Sequence, residues 1–302
     1  MYLDIFVNNI VPIFLMAGTG YALGRRFQLE VKTASRLAFY VFSPCLVFTS
    51  IVHTQLTSAE FGQMAGLTLA VTAGVALLAL AAGLALRLER RLLSALIVAS
   101  VFGNAGNYGL AVNKFAFGDE AVARAVVYYV FSTLAVYTLG VIVSSLGHRP
   151  VRQALAQVLG VPAAYGLALG GVFRATGWQV PLPADRALTI LSQAAIPIMI
   201  VILGIQMAEV RAWPRGHLGL IAVASGLQLV AAPALGLLLA GPLGLTGVTR
   251  QAALLEAAMP AAVITTILAV EYDLDAAFVT GVVVFSTLLS PLTLTPWIAY
   301  LQ

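Results

Sequence analysis

Phe102-Gly103-Asn104-Ala105-Gly106-Asn107-Tyr108-Gly109 stands inside an apolar run and holds three glycines and two asparagines between Gly103 and Gly109. Such a stretch makes a poor continuous helix. Glycine costs about 1 kcal/mol relative to alanine in a helix interior, and asparagine competes for backbone hydrogen bonds. Yet the surrounding run, Leu92 to Asn113, contains no Asp, Glu, Lys or Arg, and roughly 20 apolar residues suffice to cross a bilayer. At about 1.5 Å per residue, Asn104 lies about 15 Å from Lys114, near the middle of a hydrocarbon core. Irregular backbone at that depth is tolerated only where it faces protein or a water-filled cavity. The stretch therefore reads as the interruption of a membrane helix at a functional centre.

The rest of the chain agrees with a membrane as its solvent. Of 302 residues, 61% are hydrophobic and only 9% charged, far from the balance of soluble domains. Further charge-free runs extend over Ile5–Leu23, Leu37–Val52, Phe61–Leu86, Ala125–Gly147, Gln153–Phe173, Ala187–Met207, Leu218 to about Leu239, and Ala276–Gln302; Gln251–Val270 is broken only by Glu256. These runs are too long and too uniformly apolar for spanning strands. The expected fold is an all-α polytopic membrane protein of ten transmembrane helices.

Internal repetition organises those ten. Pro12 and Gly20 recur as Pro162 and Gly170 at an offset of 150, and Pro44 as Pro197 at 153. Phe131-Ser132-Thr133-Leu134 recurs letter for letter as Phe285-Ser286-Thr287-Leu288 at 154. Five spans per half is an odd number, so the second half must enter from the opposite face, giving two inverted five-helix repeats. The repeats cover residues 1–147 and 155–302 with a cytoplasmic linker at 148–154; ten helices without symmetry is the alternative. An offset of 154 aligns Gly106 with Pro260, the most disruptive positions of spans 4 and 9. Two half-helix N-termini meeting at mid-depth, each with about +0.5 charge, would hold an anion without buried lysine or arginine. Taken singly, glycines for close packing and a proline kink explain each helix equally well.

Charge sets the orientation. Alternate loops hold eleven of the sixteen basic residues, among them Arg25, Arg26, Lys32, Arg36, Arg87, Arg90 and Arg91. The positive-inside rule then puts both termini on the non-cytoplasmic side of the cell membrane. The net charge of +4 is a matter of topology and the partner is the lipid bilayer, not nucleic acid. Asp4 stands where a signal peptide would be basic, so the first span is expected to be retained. A lone cysteine, Cys45, excludes an internal disulfide and a thiolate metal cluster.

The sequence resembles the auxin efflux carrier family, whose bacterial members are often called malate or malonate permeases. The resemblance covers nearly the whole chain and is most specific at Phe102–Gly109, at Glu256-Ala257-Ala258-Met259-Pro260 and at Ala269-Val270-Glu271-Tyr272. It implies ten helices as two inverted repeats, with broken helices 4 and 9 crossing. It also implies a scaffold of spans 1, 2, 6 and 7 and a transport domain of spans 3–5 and 8–10. Where many relatives carry a proline after the fourth-helix glycine and an asparagine after the ninth-helix proline, this chain has Ala111, and Ile264 followed by Thr265.

The candidate substrate-binding residues are Asn104, Gly106, Asn107, Pro260, Ala261 and Thr265. Asn104 and Asn107, three apart, share a side and can donate to a carboxylate; satisfying backbone freed by the break is their other role. Glu256 is the candidate coupling residue, because an ionised carboxylate inside a span costs a few kcal/mol unless paired, hydrated or neutralised. Pairing with Arg250 is the plainer alternative. Ser132 and Thr133, which follow the repeat, are coupling-ion candidates, although such hydroxyls usually bond their own helix. No cofactor is expected beyond the coupling ion, a proton or sodium. A sodium ion at Glu256 is the one metal option, by distant similarity to the bile-acid sodium symporters. Gly20, Gly24, Gly166 and Gly170 suit close helix contact within the scaffold or a homodimer.

With no H-E-x-x-H, G-x-S-x-G or phosphate-loop motif, enzymes have little support. The expected function is secondary active transport of a small organic anion, a carboxylate by preference, through alternating access. An ion channel or uncoupled facilitator on the same fold is the alternative.

Overall fold

The computed structural model describes residues 1–27, 29–54, 56–145, 157–209 and 217–302. In chain order its helices are α1 Tyr2–Phe27, α2 Val31–His53, α3 Ser58–Ala85, α4 Arg90–Val101, α5 Leu110–Phe117, α6 Asp119–Ser144, α7 Pro162–Thr176, α8 Leu182–Glu209, α9 Leu218–Ala240, α10 Gly247–Ala257, α11 Ile264–Glu271 and α12 Ala276–Leu301. Seven of them (α1, α2, α3, α6, α8, α9 and α12) are long and apolar enough to cross a membrane. The chain is thus a multi-pass, all-helical membrane protein. The runs Leu92–Asn113 and Gln251–Val270 are each split into two short helices, α4/α5 and α10/α11. The expected linker at 148–154, and the start of the run from Gln153, lie outside the described residues.

Local chemistry explains the boundaries. Helices extend past the charge-free runs because polar residues cap them. The Thr57 hydroxyl accepts from the Glu60 amide at 3.2 Å while Glu60 Oε2 accepts from the Thr57 amide at 2.8 Å, a capping box opening α3. Arg25 and Arg26 complement the C-terminal dipole of α1. Gly177, at φ 68°, ends α7 in the left-handed conformation.

Packing sorts the helices into two groups. α1 lies on α8 and α2 on both α7 and α8; α3, α4, α5 and α6 pack with α9 to α12. The groups meet where α2 touches α6, where α1 touches α12, and where the Ala105–Gly109 turn leans on α8. Within the first group the small residues permit backbone contact: a Cβ on Gly20 would strike the Val201 carbonyl, one on Gly204 the Ala17 carbonyl, and one on Gly166 the Pro44 backbone. Gly24 likewise faces Ile205 and Ala208, and Gly170 faces Ile51. All four glycines read from sequence therefore serve contacts inside one chain. Gly204→Val should lower stability by about 1–3 kcal/mol or more through overpacking, whereas Gly18→Ala, whose Cβ meets nothing within 4 Å, should not. Thermal unfolding of both variants in one detergent checks this.

Candidate functional site

α4 stops at Val101 because Phe102, Gly103 and Asn104 leave helical conformation, with Phe102 extended at φ −101°, ψ 103°. α10 stops at Ala257, three residues before Pro260, which cannot donate to a continuing helix. The two interruptions cross, and Gly103 and Ala261 form an isolated antiparallel bridge. The Asn104 amide donates to the Pro260 carbonyl at 2.7 Å, and the Ala262 amide to the Phe102 carbonyl at 2.8 Å. Each break thus satisfies backbone groups freed by the other, as a buried crossing requires.

Side chains complete the crossing. Gln228, in a π-type turn of α9, donates from Nε2 to the Met259 carbonyl at 3.0 Å. Ser286 of α12 accepts from the Ala261 amide at 3.1 Å. Thr265 is buried and donates to the Ala262 carbonyl at 2.6 Å, closing the first turn of α11. Beyond the break the chain restarts as a π-type turn over Ala105–Gly109, with the Gly109 amide donating to the Asn104 carbonyl at 2.9 Å.

The structure gathers the sequence candidates unequally. Asn104, Pro260 and Ala261 are buried at the crossing, and Gly106 and Asn107 are half-buried beside it. Asn104 Nδ2 is buried with no hydrogen-bond partner among the described residues. The Tyr129 ring occupies the space a Cβ on Gly106 would need, 2.7 Å from Cε2. Its hydroxyl shares a 2.9 Å hydrogen bond with Ser43 of α2, joining the two packing groups beside the break.

Glu256, in the last turn of α10, is 1% exposed. Its Oε1 accepts from Asn113 Nδ2 at 2.9 Å, and its Oε2 has no partner. The carboxylate lies against the bare Cα face of Gly109, where a Cβ would come within 2.7 Å of Cδ. Arg250 is not its partner: that guanidinium donates to the Tyr300 hydroxyl at 3.1 Å and lies 5.6 Å from its ring centroid. Neither Ser132 nor Thr133 bonds Glu256 among the described residues. Thr133 donates to its own helix at the Tyr129 carbonyl, 2.8 Å away. Their repeat mates divide, Ser286 bonding the crossing while Thr287 keeps a buried hydroxyl without a partner.

A cavity of about 370 Å³ lies between α1, α8 and α12. Ile13, Phe14, Leu203 and Val284 form apolar walls, and Tyr108 and Thr287 also line it. It reaches the break through Tyr108, which accepts from Ser290 at 3.1 Å. The two asparagines, Pro260 and Glu256 are not among its lining residues.

Three features escaped the sequence reading. Asn113 sat at the edge of its run and passed for a boundary, although it falls four residues after Gly109, on the same face. Tyr129 carries no local signal that sets it apart from the apolar run around it. Glu60, Arg124 and Thr249 lie far apart in sequence, yet Arg124 Nη2 donates to Glu60 Oε1 at 2.6 Å, Arg124 Nε to Thr249 at 2.9 Å, and Thr249 to Glu60 at 2.7 Å. That network ties α3, α6 and α10 together at one end.

Comparison with known proteins supplies the family. The membrane transport protein family matches residues 5–149 and 148–298 of the chain. An uncharacterized transporter of Methanothermobacter thermautotrophicus is 28% identical over 299 residues, 96% of each chain. Another from Methanocaldococcus jannaschii is 24% identical over 301 residues, covering 96% of this chain and 97% of the relative. The chain belongs to the membrane transport protein family, that of the auxin efflux carriers, and is a transporter rather than an enzyme.

Proposed function

We propose that this transporter is a secondary active carrier of a small organic anion, a carboxylate by preference, coupled to a proton or a sodium ion. The observation that carries the reading is the crossing itself. Asn104 keeps an unpartnered buried amide donor there, the restarting helices at Ala105 and Ile264 turn their N-termini toward it, and no lysine or arginine side chain bonds at it among the described residues. Amide donors and helix N-termini favour negative charge.

In this reading the chain makes ten spans as inverted repeats over 1–147 and 155–302, with both termini on the non-cytoplasmic side of the cell membrane. The packing groups supply the two bodies: α1, α2, α7 and α8 stay fixed, and α3–α6 with α9–α12 move past them. The 370 Å³ cavity lies toward the end that carries Arg25 and Arg26, so it is the approach from the cytoplasm. The Ser43–Tyr129 bond bridges the bodies and must break as they slide. A buried carboxylate without a cationic partner is unfavourable, and an anion beside it would be repelled. Glu256 therefore needs a cation before the anion binds, which links the two solutes.

The test is a thermal-shift screen of mono- and dicarboxylates, neutral solutes and organic cations, followed by uptake in proteoliposomes. Saturable carboxylate uptake with counterflow supports the carrier; selective binding of a neutral or cationic solute, or single-channel steps in a planar bilayer, contradicts it. Asn104→Ala should weaken carboxylate binding about tenfold to a hundredfold, the value of a hydrogen bond to a charged group, with the unfolding midpoint little changed.

A further inference from the structure

Asn113 has no role in the reading above, yet it is fully buried on α5 and is, among the described residues, the one side chain bonded to Glu256. Its carboxamide hydrogens are both spent: Nδ2 donates to Glu256 Oε1 at 2.9 Å and to the Gly109 carbonyl at 3.0 Å. What remains is oxygen. Among the described residues Asn113 Oδ1 and Glu256 Oε2 are buried without partners, and the Nδ2–Oε1 bond holds the two groups in contact. A pocket that holds more acceptors than donors, one of them a carboxylate, lacks a positive charge.

Nothing else supplies it. Among neighbouring helices, α6 brings Tyr128 within electrostatic reach of Glu256, and its Arg124 is engaged by Glu60. Lys114 of α5 pairs with Asp119, and Tyr108 of the adjoining turn bonds Ser290. Glu60 of α3 and Tyr300 of α12 are bonded at the helix ends, and α9 bears no titratable side chain over Leu218–Ala240. Among the described residues no ion pair reaches Glu256.

We propose that Asn113 is the second arm of the cation site: Glu256 Oε2 and Asn113 Oδ1 together hold one unit of positive charge, either a sodium ion bound by both oxygens or a proton on Oε2 donated to Oδ1. This rests on the coupling reading and deepens it, because it makes the strength of cation binding a property of α5, in the fourth span, as well as of α10. Gly109 is part of the arrangement: its missing side chain lets the carboxylate approach, and its carbonyl fixes the carboxamide.

The probe is the bare cation. Unfolding midpoints of the purified protein are measured against sodium chloride, with choline chloride holding ionic strength constant, and separately against pH without sodium. A site for either cation stabilises the fold as it fills, so the midpoint rises with sodium in one case and with falling pH in the other. Asn113→Leu should need about tenfold more sodium, or a pH about one unit lower, for the same rise. Asn113→Asp, which sets a second carboxylate beside the first and keeps the proposal testable if the leucine variant does not fold, should need about tenfold less cation. Wild-type dependence in both variants would overturn the role of Asn113. Failure of the coupling reading itself looks different: wild-type midpoints ignore both cations, or Glu256→Gln keeps the full dependence.

Discussion

A Glu256→Gln protein in proteoliposomes will equilibrate its carboxylate substrate across the membrane but will not concentrate it. The wild-type protein, given a tenfold gradient of its coupling cation and one-to-one stoichiometry, should accumulate substrate about tenfold, since about 1.4 kcal/mol corresponds to each factor of ten. The loss follows from burial. Glu256 is 1% exposed and, among the described residues, meets Asn113 but no cation, so in this account its charge is compensated before an anion arrives. Glutamine keeps the shape, carries no charge to compensate, and leaves the cation gradient with nothing to act on. Binding by the variant should be insensitive to sodium and pH. Accumulation at the wild-type ratio would remove Glu256 from the coupling role.

Arg124→Leu should lower stability by about 1–3 kcal/mol, because it leaves a part-buried carboxylate with hydrogen bonds from Thr57 and Thr249 but without its cation. The Arg124 side chain is 10% exposed and that of Glu60 21%; their bonds, with Thr249, join α3, α6 and α10. Removing both charges should cost much less than removing one, so Arg124→Leu with Glu60→Gln should recover much of the loss. Unfolding midpoints of the three proteins decide this. A double variant as unstable as the single would make Arg124 a packing residue instead.

What the sequence made legible follows from range. The break at Gly103–Gly109 and its match at Pro260 were visible because low helix propensity and a missing amide are local properties. Glu256 was visible because a carboxylate inside an apolar run is conspicuous. The crossing hydrogen bonds were not, because Asn104 and Pro260 are 156 positions apart in the chain and apolar runs carry no pairing signal. Asn113 was missed for the same reason, and the Glu60–Arg124–Thr249 network because each member alone resembles ordinary helix-end polarity. Ten spans and their inverted arrangement are readings of repetition and charge.

The central claim is that two bodies slide past each other around the crossing, and spin-label distances in liposomes test it most directly. With Cys45→Ala as background, one pair spans the bodies (Leu15→Cys on α1 with Leu288→Cys on α12), and two lie within them (Leu15→Cys with Ile190→Cys; Leu77→Cys with Leu292→Cys). All five label sites are exposed on the helix surfaces. The account predicts two distance populations for the spanning pair, whose weights shift with the coupling cation and a transported carboxylate, and a single unchanged distance for each internal pair. One fixed distance for the spanning pair in every condition would contradict it.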